Sequence, residues 1–447
     1  MSDREAFDVA VIGGGSAGVA AAVAAAEEGA DTILLEASGA VGGTLAWQLL
    51  EHSAGFHDVK GNQVVGGFGD RLVQRLRAFG GTPGHVRDDV GYTATRTPVN
   101  HLELALCEAV MLGEAGVALW LNAPVVATDR EDGRITALHV ETPAGRRTIR
   151  PKMVIDASGD AVVAKQAGAS FQTDAGEVRQ PASLTFKLGA IDFAPLLDYA
   201  RRERDDFRQG SVVGEADQED VNLWGFGRLL GEGHEQGLIS LKRTELHLAG
   251  WPIRGEAVVN VSRVTTGPDD RNWSGEAAIS LSAQVLEFAR WFREMVPGCG
   301  NAYIAAVADR IGVRESCRVL GMETLTPEMM ASSNGAEEAI GLGAFPIDIH
   351  ESGKPSLSHT QQLSQPYAIP YGCLVAEGLD NLLVAGRCVS STHEANGSVR
   401  ITATCFATGE AAGTAGALAA EMDVKAPGVD VRTLQQRLRR RDVILPS

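Results

Sequence analysis

The N-terminal part of the chain alternates short apolar runs with a segment of small residues that is long enough for a helix. Residues 7–12 are mostly apolar, residues 31–36 contain the apolar run 33–35, and residues 16–28 between them are rich in alanine and are followed by Gly29. Apolar runs of this length are typical of parallel strands that are buried on both faces. The pattern predicts a strand, a helix and a second strand, joined by a right-handed crossover.

The next segment predicts a further helix and then an antiparallel meander. Thr97 and Pro98 suit the N-cap and the first turn of a helix that would end near Gly116. Polar and apolar residues then alternate through residues 123–150, which is typical of strands joined by tight turns. A buried strand is expected to follow over residues 152–155.

The middle of the chain, residues 172–370, is richer in tryptophan, arginine and mixed charge. Alternating patterns there predict strands at residues 182–188 and 256–264. Helical patterns occupy residues 277–295 and 302–320. This change of character predicts an inserted domain that would carry the substrate site.

The first pattern returns near the C-terminus. Residues 381–385 predict a buried strand, which is followed by a loop at residues 386–400 and a helix of small residues at 401–420. The expected fold class is α/β, with a discontinuous Rossmann-like domain and an inserted mixed α+β domain. The predicted units are residues 1–171, 172–370, 371–425 and, for a C-terminal amphipathic helix, 426–447.

Composition narrows the class of protein. The 447 residues carry a net charge of −17, which argues against nucleic acid and against an anionic membrane surface as partners. The six cysteines and ten histidines show no spacing typical of a metal site, so no metal is expected. Because the cysteines form no close pairs, we expect a reduced, cytoplasmic protein. The 52 glycines are an excess, and glycine allows the backbone to approach a ligand closely.

One glycine motif carries the first chemical signal. Gly13, Gly15 and Gly18 form a Gly-x-Gly-x-x-Gly sequence between the first predicted strand and helix, and Glu36 ends the next strand. The first glycine permits a tight turn, the second lets the backbone approach a pyrophosphate, and the third allows the helix to pack closely on the sheet. The helix N-terminus attracts phosphates, and Glu36 can accept hydrogen bonds from ribose hydroxyls. These residues predict a dinucleotide site and leave NAD and FAD both open.

Further segments extend this signal over nearly the whole chain. They are residues 41–43, IDASGD at 155–160, IGVRES at 311–316, IPYGCLV at 369–375 and the sequence at 381–400. Together with the glycine motif they resemble the bacterial FAD-dependent oxidoreductases. That family has a glutathione-reductase-type FAD fold and is related to the fumarate reductase and succinate dehydrogenase flavoproteins. The resemblance implies that FAD is the cofactor.

The resemblance also implies which residues contact FAD. They are Gly13, Gly15, Ser16, Ala17, Gly18, Glu36, Gly42, Gly43, Thr44, Val126, Ala157, Gly159, Asp160, Gly386, Arg387, Gly397, Ser398 and Val399. Val126 would lie near the adenine, and residues 397–400 would open the last helix, whose N-terminus would face the isoalloxazine ring. The sequence departs from the family at Arg387, where related flavoproteins usually carry an acidic residue for the ribityl hydroxyls.

The last loop and the inserted domain supply the catalytic candidates. His393 is the candidate acid or base, because an imidazole titrates near neutral pH and can move the proton that accompanies hydride transfer. Arg400 would flank the flavin-facing loop. Arg314 and Arg318 are four residues apart and would share one face of the predicted helix at residues 302–320, where two guanidinium groups can bind a carboxylate.

These residues predict an FAD-dependent dehydrogenase that transfers a hydride between a small polar, carboxylate-bearing substrate and N5 of the flavin. The sequence contains no second Gly-x-Gly-x-x-Gly motif, so electrons are expected from the substrate or from a partner. Two alternatives stay open: a flavin monooxygenase that needs an external reductant, and a non-redox protein for nucleotide binding or RNA modification. The electron acceptor or donor, a covalent flavin link at His52 or His57, and a homo-oligomeric state are likewise open.

Overall fold

The structure is a computed structural model of the protein, and it describes residues 5–172, 179–211, 213–265, 273–332, 335–350 and 359–446. In this part of the chain, strands β1 to β19 are Ala6–Ile12, Thr32–Leu35, His52–Ala54, Val86–Arg87, Thr95–Pro98, Ala118–Trp120, Val125–Glu131, Arg134–Thr142, Gly145–Asp156, Phe186–Gly189, Val221–Gly225, Leu246–Trp251, Glu256–Asn260, Tyr303–Val307, Ala339–Gly343, Ile347–Ile349, His359–Gln361, Tyr367–Pro370 and Leu382–Val384. Helices α1 to α12 are Ser16–Glu27, Gly43–Ala46, Gly67–Ala78, His101–Glu114, Val162–Gln166, Phe193–Arg202, Gly227–Glu235, Trp273–Met295, Pro327–Ala331, His393–Val399, Thr402–Met422 and Val431–Arg440.

The largest sheet brings the two ends of the chain together. Its strands lie in the order β6-β2-β1-β9-β8-β7, and β19 also pairs with β9. Strands β2, β1 and β9 are parallel, so Ile12 lies beside both Leu35 and Asp156. All residues of β2 and β19 are buried, as expected for strands that are covered on both faces. The structure confirms the predicted strand–helix–strand unit, and the fold class is α/β.

Strand β9 belongs to two parts of this sheet. Its first half pairs antiparallel with β8, and its second half pairs parallel with β1 and β19. The strand predicted at residues 152–155 is therefore the end of one long strand. Asp132 and Gly133 between β7 and β8 both have positive φ, 46° and 84°, which suits a tight hairpin turn. The segment at residues 123–150 thus forms an antiparallel meander.

Helix α11 packs along α1 because two glycines remove the side chains between them. A Cβ atom at Gly409 or at Gly413 would lie 2.1 Å from the carbonyl oxygen of Ala17 or of Ala21, respectively. The two contacts follow each other in the same order along α11 and along α1, so the two helices are parallel. The first turns of both helices therefore reach the same edge of the sheet.

The second large sheet is antiparallel, with the strand order β11-β12-β13-β10-β14. One face packs against α6, α7 and α8 in an apolar core that includes Leu223 and Leu248. Side chains alternate between the faces of a strand, so the neighbouring residues point to the other face. There, Trp224 lies beside His247, and His247 lies beside Asn260. The register thus places a row of polar and aromatic side chains on one face.

This second core ends near Ala308. Buried residues from Leu325 to Tyr371 pack instead in the core beneath the first sheet, where β15 lies against α11 and pairs with β18. The predicted unit at residues 172–370 therefore differs from the packing: its second half joins the first core.

Helix α4 begins later than the sequence predicted. Thr97 and Pro98 belong to strand β5, which pairs with β3. The helix begins at His101, and its N-cap is Asn100, whose side chain accepts hydrogen bonds from two backbone N–H groups of the first turn. The predicted N-cap at Thr97 was wrong because pairing with β3 holds that residue in an extended conformation.

The helix predicted at residues 302–320 does not form. Its first part, Tyr303–Val307, is the edge strand β14, which pairs antiparallel with β10 and alternates between exposed and half-buried positions. The shared helix face expected for Arg314 and Arg318 was therefore wrong. The two side chains donate hydrogen bonds to the carbonyl groups of different segments instead.

The loop predicted at residues 386–400 contains the short helix α10, His393–Val399. The hydroxyl of Thr392 accepts a hydrogen bond from the first turn and so starts this helix. The last helix begins only at Thr402. The expectation that residues 397–400 open the last helix was therefore wrong, because they end the preceding one.

Candidate active site

A continuous cleft runs between the edge of the first sheet and the polar face of the second. Gly13 and Gly15 of the glycine motif line one end, and Trp224, His247 and Asn260 of the second sheet line the other. The cleft therefore joins the predicted dinucleotide site to side chains of the inserted segment.

The nucleotide end of the cleft has the geometry that a pyrophosphate requires. Gly13 has a φ of +95°, and a Cβ atom at Gly18 would lie 1.7 Å from the Gly13 carbonyl oxygen, so both positions need glycine. Space above Gly15 is open, because a Cβ atom there would find its nearest neighbour, Cα of Gly43, at 3.8 Å. Helix α1 has no side-chain N-cap, and within the described residues the buried Oγ of Ser16 has no hydrogen-bond partner. A phosphate would satisfy these donors, so the residues present fit FAD.

Glu36 is fixed at the position where the motif predicts the ribose. Its Oε2 accepts a hydrogen bond of 2.6 Å from the backbone N–H of Gly14. Its Oε1 accepts hydrogen bonds from the backbone N–H and the hydroxyl of Ser38, at 2.8 and 2.6 Å. The carboxylate still lines the cleft, where it can accept a further hydrogen bond.

Arg387, the residue that departs from the family, also lines the cleft and pairs with Asp160. Its Nη2 donates a hydrogen bond of 2.8 Å to Asp160 and its Nη1 donates one of 3.0 Å to the hydroxyl of Ser316. Burial raises the pKa of Asp160, but the charge of Arg387 and the hydrogen bonds outweigh it, so the pKa is lowered overall. The guanidinium group covers Gly159, where a Cβ atom would lie 3.0 Å from Nη2. The basic residue is thus neutralised within this wall.

The structure brings most of the residues that the resemblance implied for FAD to this end of the cleft. Those that line it are Gly13, Gly15, Ser16, Ala17, Glu36, Gly43, Thr44, Ala157, Gly159, Gly386 and Arg387. Within the described ranges, the others lie outside the lining: Gly18, Gly42, Val126, Asp160, Gly397, Ser398 and Val399. Val126 is 42% exposed on β7, and Ser398 is held in the core by Tyr367. FAD contacts at these outlying positions stay predictions.

Four of the arginine side chains that line the cleft share one property: Arg243, Arg263, Arg314 and Arg400. In the part of the chain that the structure describes, none of the four has a carboxylate oxygen within 4.0 Å of its guanidinium nitrogens. The Nε atoms of Arg243 and Arg400 are buried, and within the same residues they have no hydrogen-bond partner. We call these four side chains the arginine group.

Neutral groups hold these side chains in place. Arg263 and Arg314 both donate from Nη1 to the Oγ of Ser183, each over 2.8 Å. Arg314 also donates to the carbonyl of Pro181 at 2.7 Å, and Arg400 donates to a backbone carbonyl at 3.3 Å. None of these hydrogen bonds neutralises a positive charge.

Burial lowers the pKa of all four guanidinium groups, and for Arg263 and Arg314 other members of the group add to the decrease, whereas the charge of Asp348 opposes it for Arg263, Arg314 and Arg400. Burial lowers the pKa of Arg314 to about 9, and the charges of Arg400 and Arg243 contribute to the decrease. Burial, followed by the charges of Arg314 and Arg243, lowers the pKa of Arg263 well below its ordinary value. Buried charges are costly unless they are paired, so this arrangement fits an anionic ligand.

Imidazole and indole rings form another part of the wall. The rings of Trp224 and His247 are stacked, with centroids 4.1 Å apart, and the guanidinium of Arg208 lies 4.8 Å from the Trp224 ring. His52 meets His247 edge-on at 4.9 Å. Burial lowers the pKa of both imidazoles, that of His52 to about 4. Both rings are therefore neutral at pH 7.

The predicted catalytic residues fall in two places. Arg314 and Arg400 line the cleft. His393 lies outside its lining among the described residues, and its Nδ1 is 2.9 Å from Oε2 of Glu315, which also pairs with Arg318. Burial raises the pKa of Glu315, but the hydrogen bond and charge of His393 help to lower it overall. A role of His393 in proton transfer stays a prediction.

The two histidines considered for a covalent flavin link are also separated. His52 lines the cleft, whereas among the described residues His57 lies outside the lining and accepts a hydrogen bond from, or donates one to, the hydroxyl of Thr95 at 2.9 Å. A covalent link at either residue stays untested.

Sequence reasoning missed three side chains that the fold brings into the cleft: Arg243, Arg263 and His247. His247 did carry a signal, because it is a polar residue within the otherwise apolar strand β12. Arg263 lies at the end of the segment predicted as a strand at residues 256–264. Their convergence depends on the pairing of β12 with β13, which a local pattern does not give.

Within the described residues, no group of three or more His, Cys, Asp or Glu side chains is placed to hold a metal ion. In the same part of the chain, no helix combines the length and the apolar character needed to cross a membrane.

Comparison with known proteins identifies a family over most of the chain. The family described as FAD dependent oxidoreductase matches residues 8–438. Digeranylgeranylglycerophospholipid reductase from Thermoplasma volcanium is 27% identical over 169 residues, a match that covers 35% of this chain and 40% of that protein. The chain thus spans two fifths of the length of this curated relative.

Solved structures with similar folds include proteins of several kinds. A geranylgeranyl bacteriochlorophyll reductase-like protein from Thermoplasma acidophilum is 15% identical, with a TM-score of 0.47 and coverage of 97% of this chain and 83% of that one. The p-nitrophenol 4-monooxygenase PnpA from Pseudomonas putida DLL-E4 is 11% identical, with a TM-score of 0.49 and coverage of 98% and 85%.

Proposed function

The chain belongs to the FAD dependent oxidoreductase family, and from that premise we propose that it transfers a hydride between FAD and a small polar substrate that carries a carboxylate. The enzyme is FAD-dependent. The nature of the substrate and the direct exchange of a hydride with it are the proposed part.

The arginine group is the observation that supports this proposal. It lines the same cleft as the FAD motif, and within the described residues no protein carboxylate oxygen lies within 4.0 Å of its guanidinium nitrogens. Guanidinium groups bind carboxylates in a planar, bidentate geometry, which orients the ligand as well as holding it. An anionic group of the substrate would supply the negative charge that pairs with these guanidinium groups.

The residues of the cleft divide the work between cofactor and substrate. FAD, when bound, accepts or delivers a hydride at N5. The backbone around Gly13 and Gly15 and the hydroxyl of Ser16 would hold the pyrophosphate, and Glu36 would hold the ribose. Arg314 and its neighbours would hold the carboxylate, so that the carbon next to it has a fixed position.

The sequence favours direct exchange of a hydride between the substrate and FAD over oxygen insertion. Its one Gly-x-Gly-x-x-Gly motif is used by FAD, so the reductant of a monooxygenase would need a site of another kind or a partner protein.

Anaerobic mixing of the FAD-loaded protein with a panel of acids tests the proposal. The panel contains 2-hydroxy acids, amino acids and aromatic hydroxy acids, each beside the matching alcohol or amine that lacks the carboxylate. Protein with chemically reduced flavin is mixed with 2-oxo acids and unsaturated acids for the reverse direction. We expect one acid to change the visible absorbance of the flavin, and its carboxylate-free analogue to act at least roughly 10-fold more weakly.

Three results would overturn the proposal. They are a flavin that no member of either panel oxidises or reduces, equal rates with an acid and its carboxylate-free analogue, and, in a separate assay with NADPH and air, rapid flavin reduction with oxygen insertion into an aromatic acid. The last result would establish the monooxygenase alternative.

A further inference from the structure

One face of the second sheet carries a chain of hydrogen bonds that ends in the cleft. Asn222 and Trp224 are two residues apart on β11, so both side chains are on the cleft side, and the register places His247 beside Trp224. Asn222, His247 and Asp88 all line the cleft. These residues form a buried group outside the FAD motif and the arginine group.

The hydrogen bonds in this group fix the tautomer of His247. Its Nε2 lies 2.6 Å from Oδ1 of Asn222, and the amide Nδ2 of Asn222 donates over 3.3 Å to Oδ1 of Asp88. An amide oxygen only accepts hydrogen bonds, so Nε2 of His247 carries the proton. Its Nδ1 therefore carries a lone pair. Within the described residues, Nδ1 has no hydrogen-bond partner, and His247 lines the cleft.

Stacking holds the imidazole in one orientation. Trp224 covers one face of the His247 ring, with only 18° between the two planes, and His52 contacts the ring edge-on. The Asn222 hydrogen bond prevents rotation about the ring axis. Nδ1 is therefore held in a fixed direction before any ligand binds, which is what a group that exchanges a proton with a substrate requires.

Burial and nearby positive charges keep the ring neutral. Burial lowers the pKa of His247 well below 6.5, and His52, Arg96 and Arg208 contribute to the decrease. Arg96 is paired with Asp220, and Arg208 with Glu245. The other titratable side chains that line the cleft include the arginine group and, besides Asp88, the carboxyl groups of Glu36 and Asp348, the imidazole of His350 and the hydroxyl of Tyr92. A neutral imidazole with a free lone pair accepts a proton and does not compete with the arginines for an anion.

We propose that Nδ1 of His247 accepts the proton that the substrate loses on oxidation, and that Asn222, supported by Asp88, is the positioning residue. This inference rests on the proposed function. The substrate carbon loses a hydride, the C–H electron pair leaves with it to FAD, and the proton of the adjacent O–H or N–H passes to His247. The electron pair of that O–H or N–H bond becomes the second bond of the C=O or C=N product. In the reverse direction, the protonated imidazole returns the proton.

The tautomer can be measured without turnover. FAD-loaded protein with ¹⁵N-labelled histidine is examined by NMR, and the His247→Gln variant identifies the His247 signals. We expect a neutral ring at pH 7 with the proton on Nε2. In Asn222→Leu, which removes the acceptor, we expect a mixture of both tautomers. A wild-type ring that is protonated at pH 7, or that carries its proton on Nδ1, would overturn the proposal.

Kinetics then test the proton transfer. With the acid that bleaches the flavin, we expect His247→Gln to bleach roughly 100-fold more slowly or worse, and to keep its affinity for that acid. Asn222→Leu should lower the bleaching rate and shift its pH profile, whereas a purely structural role would leave the profile in place. His234→Gln is the control, because His234 lies on α7 outside the cleft lining within the described chain and bonds to a backbone carbonyl.

The outcomes distinguish the two proposals. If no acid bleaches the wild type, the proposed function fails, and the inference that rests on it fails with it even where the tautomer is as expected. If an acid bleaches the flavin and His247→Gln does so within about threefold of the wild-type rate, the proposed function stands and His247 is not the proton acceptor. His393→Gln in the same series then shows whether the predicted histidine takes that role.

Discussion

Arg263 and Arg314 donate hydrogen bonds from their Nη1 atoms to one and the same oxygen, Oγ of Ser183, each over 2.8 Å. Two positive groups are thus held together at a neutral hydroxyl in a buried cleft. Repulsion between the two positive groups is strong where the dielectric constant is low, so it destabilises the free protein. A bound anion would be attracted to both groups and would offset this repulsion. This pair therefore links the stability of the free protein to the chemistry of its ligand.

Replacing Arg314 should weaken substrate binding without damaging the fold. In Arg314→Met, we expect the concentration of acid needed for half-maximal bleaching to rise roughly 10- to 100-fold, because a charge-assisted hydrogen bond is lost. The melting temperature should stay the same or rise, since one of two repelling charges is gone. Arg290→Met, at an exposed pair with Glu294 on α8, is the matched control and should change neither quantity. A normal bleaching curve for Arg314→Met would contradict the role of the arginine group.

The third glycine of the FAD motif should not tolerate a methyl group. In Gly18→Ala, the added Cβ would lie 1.7 Å from the Gly13 carbonyl oxygen, so the glycine turn must move and FAD binding should be lost or reduced at least roughly 10-fold. The measurement is the flavin content of purified protein and its affinity for added FAD. Gly113→Ala is the matched control, because Gly113 is also helical and a Cβ there meets nothing within 4 Å. That variant should keep FAD and gain up to about 1 kcal/mol of stability.

Glu108 should make the protein less stable as the pH rises. Neither of its carboxylate oxygens has a hydrogen-bond partner within the described residues, and burial raises its pKa to about 8. The folded state therefore binds more protons than the unfolded state between the ordinary pKa of 4.5 and about 8, so stability falls through this range. Glu108→Met removes the effect. Its gain in the free energy of unfolding should be small near pH 5 and reach on the order of 3 kcal/mol near pH 8.

Urea unfolding of the FAD-loaded protein at several pH values measures this difference. Glu114→Met is the control, because Glu114 is an exposed residue of the same helix. A stability gain of Glu108→Met that does not vary with pH would show that the carboxyl group does not titrate as expected.

Glu51 and Lys187 should depend on each other. Lys187 Nζ lies 2.7 Å from Oε1 of Glu51, and both side chains are buried. In Lys187→Met, the carboxylate loses its nearest cation, so we expect about 3–5 kcal/mol lower stability. Adding Glu51→Gln to this variant should recover part of the loss. Equal stability of the single and double variants would show that the pair is not coupled.

The same pair predicts a loss of stability in acid. Burial raises the pKa of Glu51, but His101 and Lys187 outweigh it, so the pKa is lowered overall. A carboxyl with a lowered folded pKa adds stability above its ordinary pKa of 4.5 and loses that contribution as the pH falls below it. Between about pH 6 and pH 3, the free energy of unfolding should therefore fall more steeply with decreasing pH for the wild type than for the double variant.

Local signals predicted the nucleotide half of the protein well. The motif at Gly13 to Gly18 and the strands beside it lie within one short stretch of chain, and the structure has them nearly as predicted. The glycines at residues 409 and 413 likewise act locally, since each lets α11 approach the backbone of α1 closely. These features follow from single residues, because a missing Cβ acts on its immediate surroundings.

Patterns failed where distant segments compete with local preference. Residues 302–320 have a helical pattern, yet Tyr303–Val307 pairs with β10, which lies far away along the chain. Thr97 resembles an N-cap, yet it pairs with β3. In both cases backbone hydrogen bonds to another strand outweighed the weak local propensity.

The sequence by itself determined a dinucleotide site, because the elements that bind a dinucleotide are consecutive and their glycines and apolar runs are local features; the resemblance to a flavoprotein family then indicated FAD. Only the tertiary structure decided the other half of the cleft. Arg243, Arg263, Arg314 and His247 come from separate segments, and they meet because β12 pairs with β13 and because residues beyond β14 return to Ser183. Strand register and contacts between distant segments are long-range interactions. The arginine and histidine side chains that would select a substrate therefore form no periodic pattern in the sequence.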